Sequence, residues 1–303
     1  MSAGKNRTAG PDADPGAAAG LPHPDRAETI EPDQVLLLPR KRKGPARVIT
    51  IIAGKSGIGK STVLSNLAAA LARDRGLATA VLDLDLQFGD QGLMFDAASS
   101  PSIVDLLVNA DALTPDFVLE CMHQGAGVRV LGSPPSPELA DLVTPQHVQS
   151  VLAHLRQMFD VVLIDTASHL SDITLEAVDS ADVIVVLTTP YLAAVKNSKL
   201  ILKTMSDLGI PASKLTAVLN RLEPGLKMPL DVLEANLKFP ISLQLPHTPM
   251  ALIESVTDGV PLVLTKPSSE WGQKISALGS LMLAEENTEG RKTARRGFLG
   301  LAR

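Results

Sequence analysis

The sequence predicts a single α/β domain: a mostly parallel sheet with helices on both faces, preceded by a disordered leader. Three observations carry this. Short β-branched or apolar runs alternate with segments of helical spacing from residue 47 to residue 284. A glycine-rich loop stands between the first such run and the first helix. Hydrophobic residues make up 45% of the 303 and charged residues 20%, a composition that can bury a sizeable core.

The first strand is expected at 48–53, a run with the length and branching of a fully buried strand. Helical spacing over 61–73 leads to a strand at 78–84. Short helical segments near 103–108 and 115–122 precede a strand at 128–131. A helix at 145–158 leads to a strand at 161–164, and one at 174–180 to a strand at 183–188. A helix at 193–208 then feeds a strand at 215–219, and a helix at 230–237 feeds a strand at 241–245. Two helices close the body. This alternation reads as βαβ units, hence a buried parallel sheet. No repeat or composition break divides 46–284, so one domain is expected there. Residues 1–45, rich in Ala, Gly, Pro and Asp without a period, read as a disordered leader, and 285–303 as a basic tail.

Composition also excludes. Aromatics are 3%, too few for a stacking platform on single-stranded nucleic acid. Cys121 is the only cysteine, so an internal disulfide, a zinc knuckle and a cysteine-held iron–sulfur cluster are excluded, and a reducing compartment fits. The histidines 123, 147, 154, 169 and 247 show no ligand spacing. No apolar run reaches about 18 residues and the first twenty residues hold no secretory core, so a cytoplasmic protein is expected. Residues 1–45 carry seven basic and six acidic residues, and 291–303 carry five basic and none acidic. The remaining body has 16 basic against 27 acidic residues, a poor surface for non-specific nucleic-acid binding.

The strongest chemical signal is Gly54-Lys55-Ser56-Gly57-Ile58-Gly59-Lys60-Ser61, followed by Thr62, which fits G-x-x-x-x-G-K-[ST]. It follows a strand and opens a helix, where loop and helix N–H groups make an anion site. Lys60 would reach the β- and γ-phosphates of ATP, and the Ser61 hydroxyl would ligate Mg²⁺. Asp165 ends an apolar strand, the place of a carboxylate that holds Mg²⁺ through water. Asp83 and Asp85 form a D-x-D at another strand end. Period-2 geometry puts both on one side of the strand, to converge on one site or to serve as turn residues.

Residues 55–61, with a second lysine near the loop's start, resemble the deviant Walker A motif of the MinD/ParA superfamily of P-loop ATPases. Residues 81–90 (VLDLDLQFGD) resemble its CpaE/TadZ branch, the ATPases of Flp/Tad-type pilus assembly. The segments 102–107, 142–145, 159–166 and 218–221 extend the likeness over about 47–280. The resemblance implies a weak ATPase that dimerises around ATP and localises or assembles a pilus through partner proteins. Lys55 would contact the nucleotide of the partner subunit. Asp85 would position the attacking water, with Asp83 near Mg²⁺. Asn220 would bond the adenine edge beside Arg221 and Pro246, the last two being equally readable as ordinary strand-end residues. The chain departs from the family at Ser56, where Gly is usual, at 167–169, where Pro and Gly are usual, and at Tyr191, where an acidic residue is usual.

Two further readings stand beside the pilus one: a ParA/MinD-type DNA-partition or cell-positioning ATPase, and a non-hydrolysing nucleotide-binding scaffold. The tail 291–303 (RKTARRGFLGLAR) reads either as a short basic amphipathic contact with the inner membrane or the cell pole, or as a frayed soluble end.

Overall fold

The computed structural model describes residues 44–97, 101–107, 113–222 and 229–284. The predicted leader, except for 44 and 45, and the basic tail 285–303 lie outside the described residues. Among these residues the strands are β1 (Arg47–Ile52), β2 (Thr79–Leu84), β3 (His123–Gly125), β4 (Val128–Leu131), β5 (Val161–Thr166), β6 (Val183–Thr188), β7 (Leu215–Leu222) and β8 (Ile241–Pro246). They form one sheet in the order β3-β4-β2-β5-β1-β6-β7-β8. Every neighbouring pair is parallel except β3 with β4.

The helices are α1 (Lys60–Arg75), α2 (Gln91–Met94), α3 (Ile103–Leu107), α4 (Pro115–Glu120), α5 (Pro145–Met158), α6 (Asp172–Asp179), α7 (Leu192–Asp207), α8 (Leu230–Leu237), α9 (Pro249–Thr257), α10 (Leu262–Thr265) and α11 (Glu270–Leu283). They divide between two cores, one on each side of the sheet, and the strand period decides which residue enters which. Ile49 and Ile51 of β1 join Leu64, Leu67, Trp271 and Ile275 in one core. Val48 and Ile52 join Val148, Leu152, Ala177 and Leu202 in the other. With both faces covered, all six residues of β5 and of β6 are buried, which is why these strands read as unbroken apolar runs.

Local chemistry starts the helices where the sequence places them. Thr144 caps α5 by accepting from the His147 N–H at 3.3 Å, while His147 Nδ1 accepts from the Thr144 N–H at 3.2 Å, with Pro145 in the first turn. Ser171 caps α6 by accepting from the Thr174 N–H, and Ser269 caps α11 by accepting from the Gly272 N–H, each without the return bond. Helix α1 is buried through the nine consecutive residues 63–71 because it lies between the sheet and α10 and α11.

The structure adds four elements to the expected series, the first a 3-10 helix at Pro137–Leu142. The edge strand β3 (His-Gln-Gly) has neither apolar alternation nor length, and exists by pairing with β4. Helix α2 is a single turn. Three helices rather than two close the body, because α10 stands between α9 and α11 with Pro261 at its N-cap.

Candidate nucleotide site

Strand β1 lies between β5 and β6. The chain leaves β1 for β2 on one side, whereas from β5 it passes to β6 and β7 on the other. In an open α/β sheet the crevice at such a reversal, outside the carboxyl ends of the strands, is where ligands bind. The loop 54–59 occupies that crevice and is clamped from two directions. Asn197 of α7 donates from Nδ2 to the Gly54 carbonyl at 2.7 Å, and a Cβ on Gly54 would stand 2.6 Å from Asn197 Cβ. From the end of β7, Asn220 donates to the Ile58 carbonyl at 2.8 Å and the Arg221 guanidinium to the Gly57 carbonyl at 2.6 Å. Gly57 and Gly59 have φ of +72° and +94°, left-handed conformations that favour glycine. Gly59 is the N-cap of α1 and supplies no side-chain cap, so the first N–H groups of the helix stay available to an anion.

The two lysines of the loop have different surroundings. Lys60 is 7% exposed and donates from Nζ to Ser168 Oγ at 3.0 Å. Lys55 is exposed and makes no hydrogen bond or ion pair with a described residue. Ser56 is exposed beside it, and Ser61 and Thr62 are half-buried in the first turn of α1.

Asp83 and Asp165 are register partners on the adjacent strands β2 and β5, and both are fully buried. Asp83 accepts from the Asp85 N–H at 3.1 Å and the Gln91 N–H at 3.0 Å. Asp165 Oδ2 accepts from Gln91 Nε2 at 2.9 Å, while Asp165 Oδ1 is buried with no partner. Burial, and next the charge of Asp165, hold the Asp83 carboxyl well above the usual carboxylate range. Burial also raises Asp165, against the opposing pull of the Lys60 ammonium and the Ser61 hydroxyl. Asp85 lies one residue past the strand, whose end at Leu84 is the expected one. It reaches the cluster by folding its N–H back onto Asp83. Gly89 packs against the same carboxylate: a Cβ there would stand 2.4 Å from Asp83 Oδ2.

These groups fit a hydrated magnesium ion. Two buried carboxylates side by side, one with an unpaired oxygen, are relieved by a cation. Among the described residues no group of three or more His, Cys, Asp or Glu side chains forms a metal cage. A site of this kind suits Mg²⁺, which keeps several waters and takes one or two protein ligands plus phosphate oxygens.

Beside the loop opens a cleft of about 480 Å³, lined by Thr62, Asn220, Arg221, Pro246, Thr248 and Trp271 among others. The structure thus brings Asn220, Arg221 and Pro246, named from sequence, to one wall of one cleft adjoining Gly59. Asn220 is partly engaged already, since its Oδ1 accepts from the Arg221 N–H at 2.9 Å. Arg221 has φ of +58°, and its guanidinium folds over the loop. Sequence reasoning missed Gln91 and Asn197, which carry no motif, and noted Ser168 only as a departure from a family pattern.

Residues 49–251 match the family model of the CobQ/CobB/MinD/ParA nucleotide binding domain. An uncharacterized ATP-binding protein of Methanocaldococcus jannaschii is 26% identical over 255 residues, which are 84% of this chain and 94% of that protein. The ParA family ATPase of Chlorobium tepidum superposes with a TM-score of 0.73 at 22% identity, covering 77% of this chain and 98% of that one. The septum site-determining protein MinD of Pyrococcus horikoshii, solved with Mg-ADP, gives a TM-score of 0.67 at 22% identity over 82% and 98% of the two chains. The family match spans more than half of the chain and carries the loop, Asp83, Asp165 and the cleft residues Asn220, Arg221 and Pro246: the chain belongs to the CobQ/CobB/MinD/ParA nucleotide-binding family.

Proposed function

We propose that the protein is a Mg-ATP-dependent ATPase of the MinD/ParA positioning type, with a nucleotide state that controls its pairing with a second copy and its hold on a partner protein. The observation that carries this reading is the contrast between two lysines of one loop. Lys60 is buried against Ser168, inside its own site, whereas Lys55 is exposed and has no partner among the described residues. An outward ammonium at a phosphate loop suits a nucleotide held by the facing copy.

In this reading the loop N–H groups and Lys60 bind the β- and γ-phosphates. The residues that would hold magnesium are Ser61 and, through water, Asp165, and the ion supplies neutralisation of the phosphate charge. Asp85, at the open edge of the carboxylate cluster, orients the water whose oxygen bonds the γ-phosphorus as the bond to the bridging oxygen breaks. ADP and phosphate leave. Asn220, Arg221 and Pro246 hold the base in the cleft.

The relatives are named for ATP binding, ParA and MinD, which favours positioning over pilus assembly as the broader role. The acidic body makes a protein a better partner than DNA. The narrower pilus branch rests on residues 81–90 and the shorter segments that resemble it. It is tested by whether gene deletion abolishes piliation rather than the placement of division sites. The general reading is tested by phosphate release and light-scattering mass of the full chain with ATP, ADP and magnesium. A slow release and an ATP-dependent dimer are expected; a chain that binds no nucleotide, or stays monomeric with ATP, overturns it.

A further inference from the structure

Gln91 belongs to none of the motifs read from the sequence, yet it bonds Ser61 of the glycine-rich loop motif and both strand-end aspartates, Asp83 and Asp165. It opens α2 and is fully buried. Its backbone N–H donates to Asp83 Oδ2 at 3.0 Å. Its side-chain Nε2 donates both to Asp165 Oδ2 at 2.9 Å and to the Ser61 carbonyl at 3.1 Å. Its Oε1 is buried and has no partner. A buried amide oxygen left unpaired is unfavourable, and a methionine would occupy the space without that penalty.

The two hydrogens of one amide group therefore tie the first turn of α1 to the end of β5. Those are the segments that bring Ser61 and Asp165 together. Because Nε2 takes Oδ2, the one unpaired oxygen of Asp165 is Oδ1. The remaining unpaired atom of the glutamine, Oε1, is an acceptor, suited to a water molecule that a cation orients with its hydrogens outward.

We propose that Gln91 is a positioning residue for magnesium: it fixes the Asp165 carboxylate against Ser61, keeps Oδ1 for the hydrated ion, and offers Oε1 to one of the ion's waters. The inference rests on the reading of Ser61 and Asp165 as the magnesium side of the site. Outer partners that orient a metal's ligands are worth 10- to 100-fold in metal affinity. A purely structural pin for α2 would instead affect nucleotide binding with and without metal alike.

The experiment measures the affinity of the full chain for a fluorescent ADP analogue in EDTA and across a magnesium titration, for the natural sequence and Gln91→Met. The natural protein should bind more tightly with magnesium. In Gln91→Met the ratio of the two affinities should fall by about 10-fold or more, and half-saturation should need correspondingly more magnesium. An unchanged ratio, or an equal loss in EDTA and magnesium, overturns the proposal. Should Gln91→Met not fold, Gln91→Asn, which keeps the amide but withdraws it by one methylene, is held to the same ratio. If the natural protein itself shows no magnesium effect, the Mg-ATP reading fails, a result distinct from failure of the Gln91 assignment.

Discussion

A side chain starting at Gly59 would begin 2.7 Å from the Asn220 carboxamide nitrogen, which in turn donates to the neighbouring Ile58 carbonyl. The loop 54–59 and the Asn220 wall of the cleft are therefore keyed together at this one contact. Gly59→Ala has two faults, a left-handed φ of +94° and a clash with Asn220. The backbone fault alone costs about 1–2 kcal/mol, which lowers the melting temperature by roughly 2–8 °C in a domain of this size. Nucleotide affinity should fall with it. Adding Asn220→Ala should recover the clash and leave the backbone part, as calorimetry of the three variants would reveal. A Gly59→Ala protein as stable as the natural one refutes the interlock.

The lysines should separate binding from pairing. Lys60→Ala removes a buried ammonium from the phosphates and should weaken nucleotide binding by about 30-fold or more. Lys55→Ala should bind ATP as a monomer and lose the ATP-dependent dimer. Titration combined with light scattering reads both, and a Lys55→Ala protein that still dimerises removes the role assigned to that residue.

The carboxylates should separate chemistry from metal binding. Asp85→Ala should retain Mg-ATP and hydrolyse it about 10²- to 10⁴-fold more slowly, the range for a lost proton-handling or water-orienting group. Asp165→Ala should lose the magnesium-dependent part of nucleotide affinity. Single-turnover kinetics beside equilibrium binding checks this, and equal binding defects in the two variants would dissolve the division of labour.

Stability should depend on pH through the same pair. Burial raises the folded-state pKa of Asp83 and of Asp165 above the unfolded value near 4. The native state then holds protons that the unfolded chain has released, and stability falls as pH climbs through that window. In EDTA the melting temperature should drop as the pH climbs above about 4, the unfolded carboxylate value, and Asp83→Asn should flatten the slope. Magnesium with nucleotide should flatten it too, by favouring the charged forms. A melting temperature that rises over this range, with the same slope in Asp83→Asn, contradicts the account.

Much of this was legible before any coordinates. The fully buried strands announced themselves as apolar runs, and β2 and β5 begin within one residue of expectation. The loop 54–61 carried its own geometry in Gly57 and Gly59, because few other residues tolerate the required φ. What was hidden depends on meetings across the chain. β3 is a strand only because β4 passes beside it. Gln91 is an ordinary polar residue until the fold sets it between Ser61 and Asp165, 30 and 74 residues away. Ser168 acquires a role only as the oxygen on which Lys60 rests. Periodicity records which side of an element is buried, and is silent about what arrives from elsewhere to touch it.

Trp271, 1% exposed and part of the cleft wall, is the only tryptophan in the chain. All indole emission thus originates at one point in the wall of the cleft, on the helix that packs against α1. The protein carries a built-in optical probe: nucleotide titrations can be followed without a dye, and a stopped-flow trace of that single signal times the filling and emptying of the cleft.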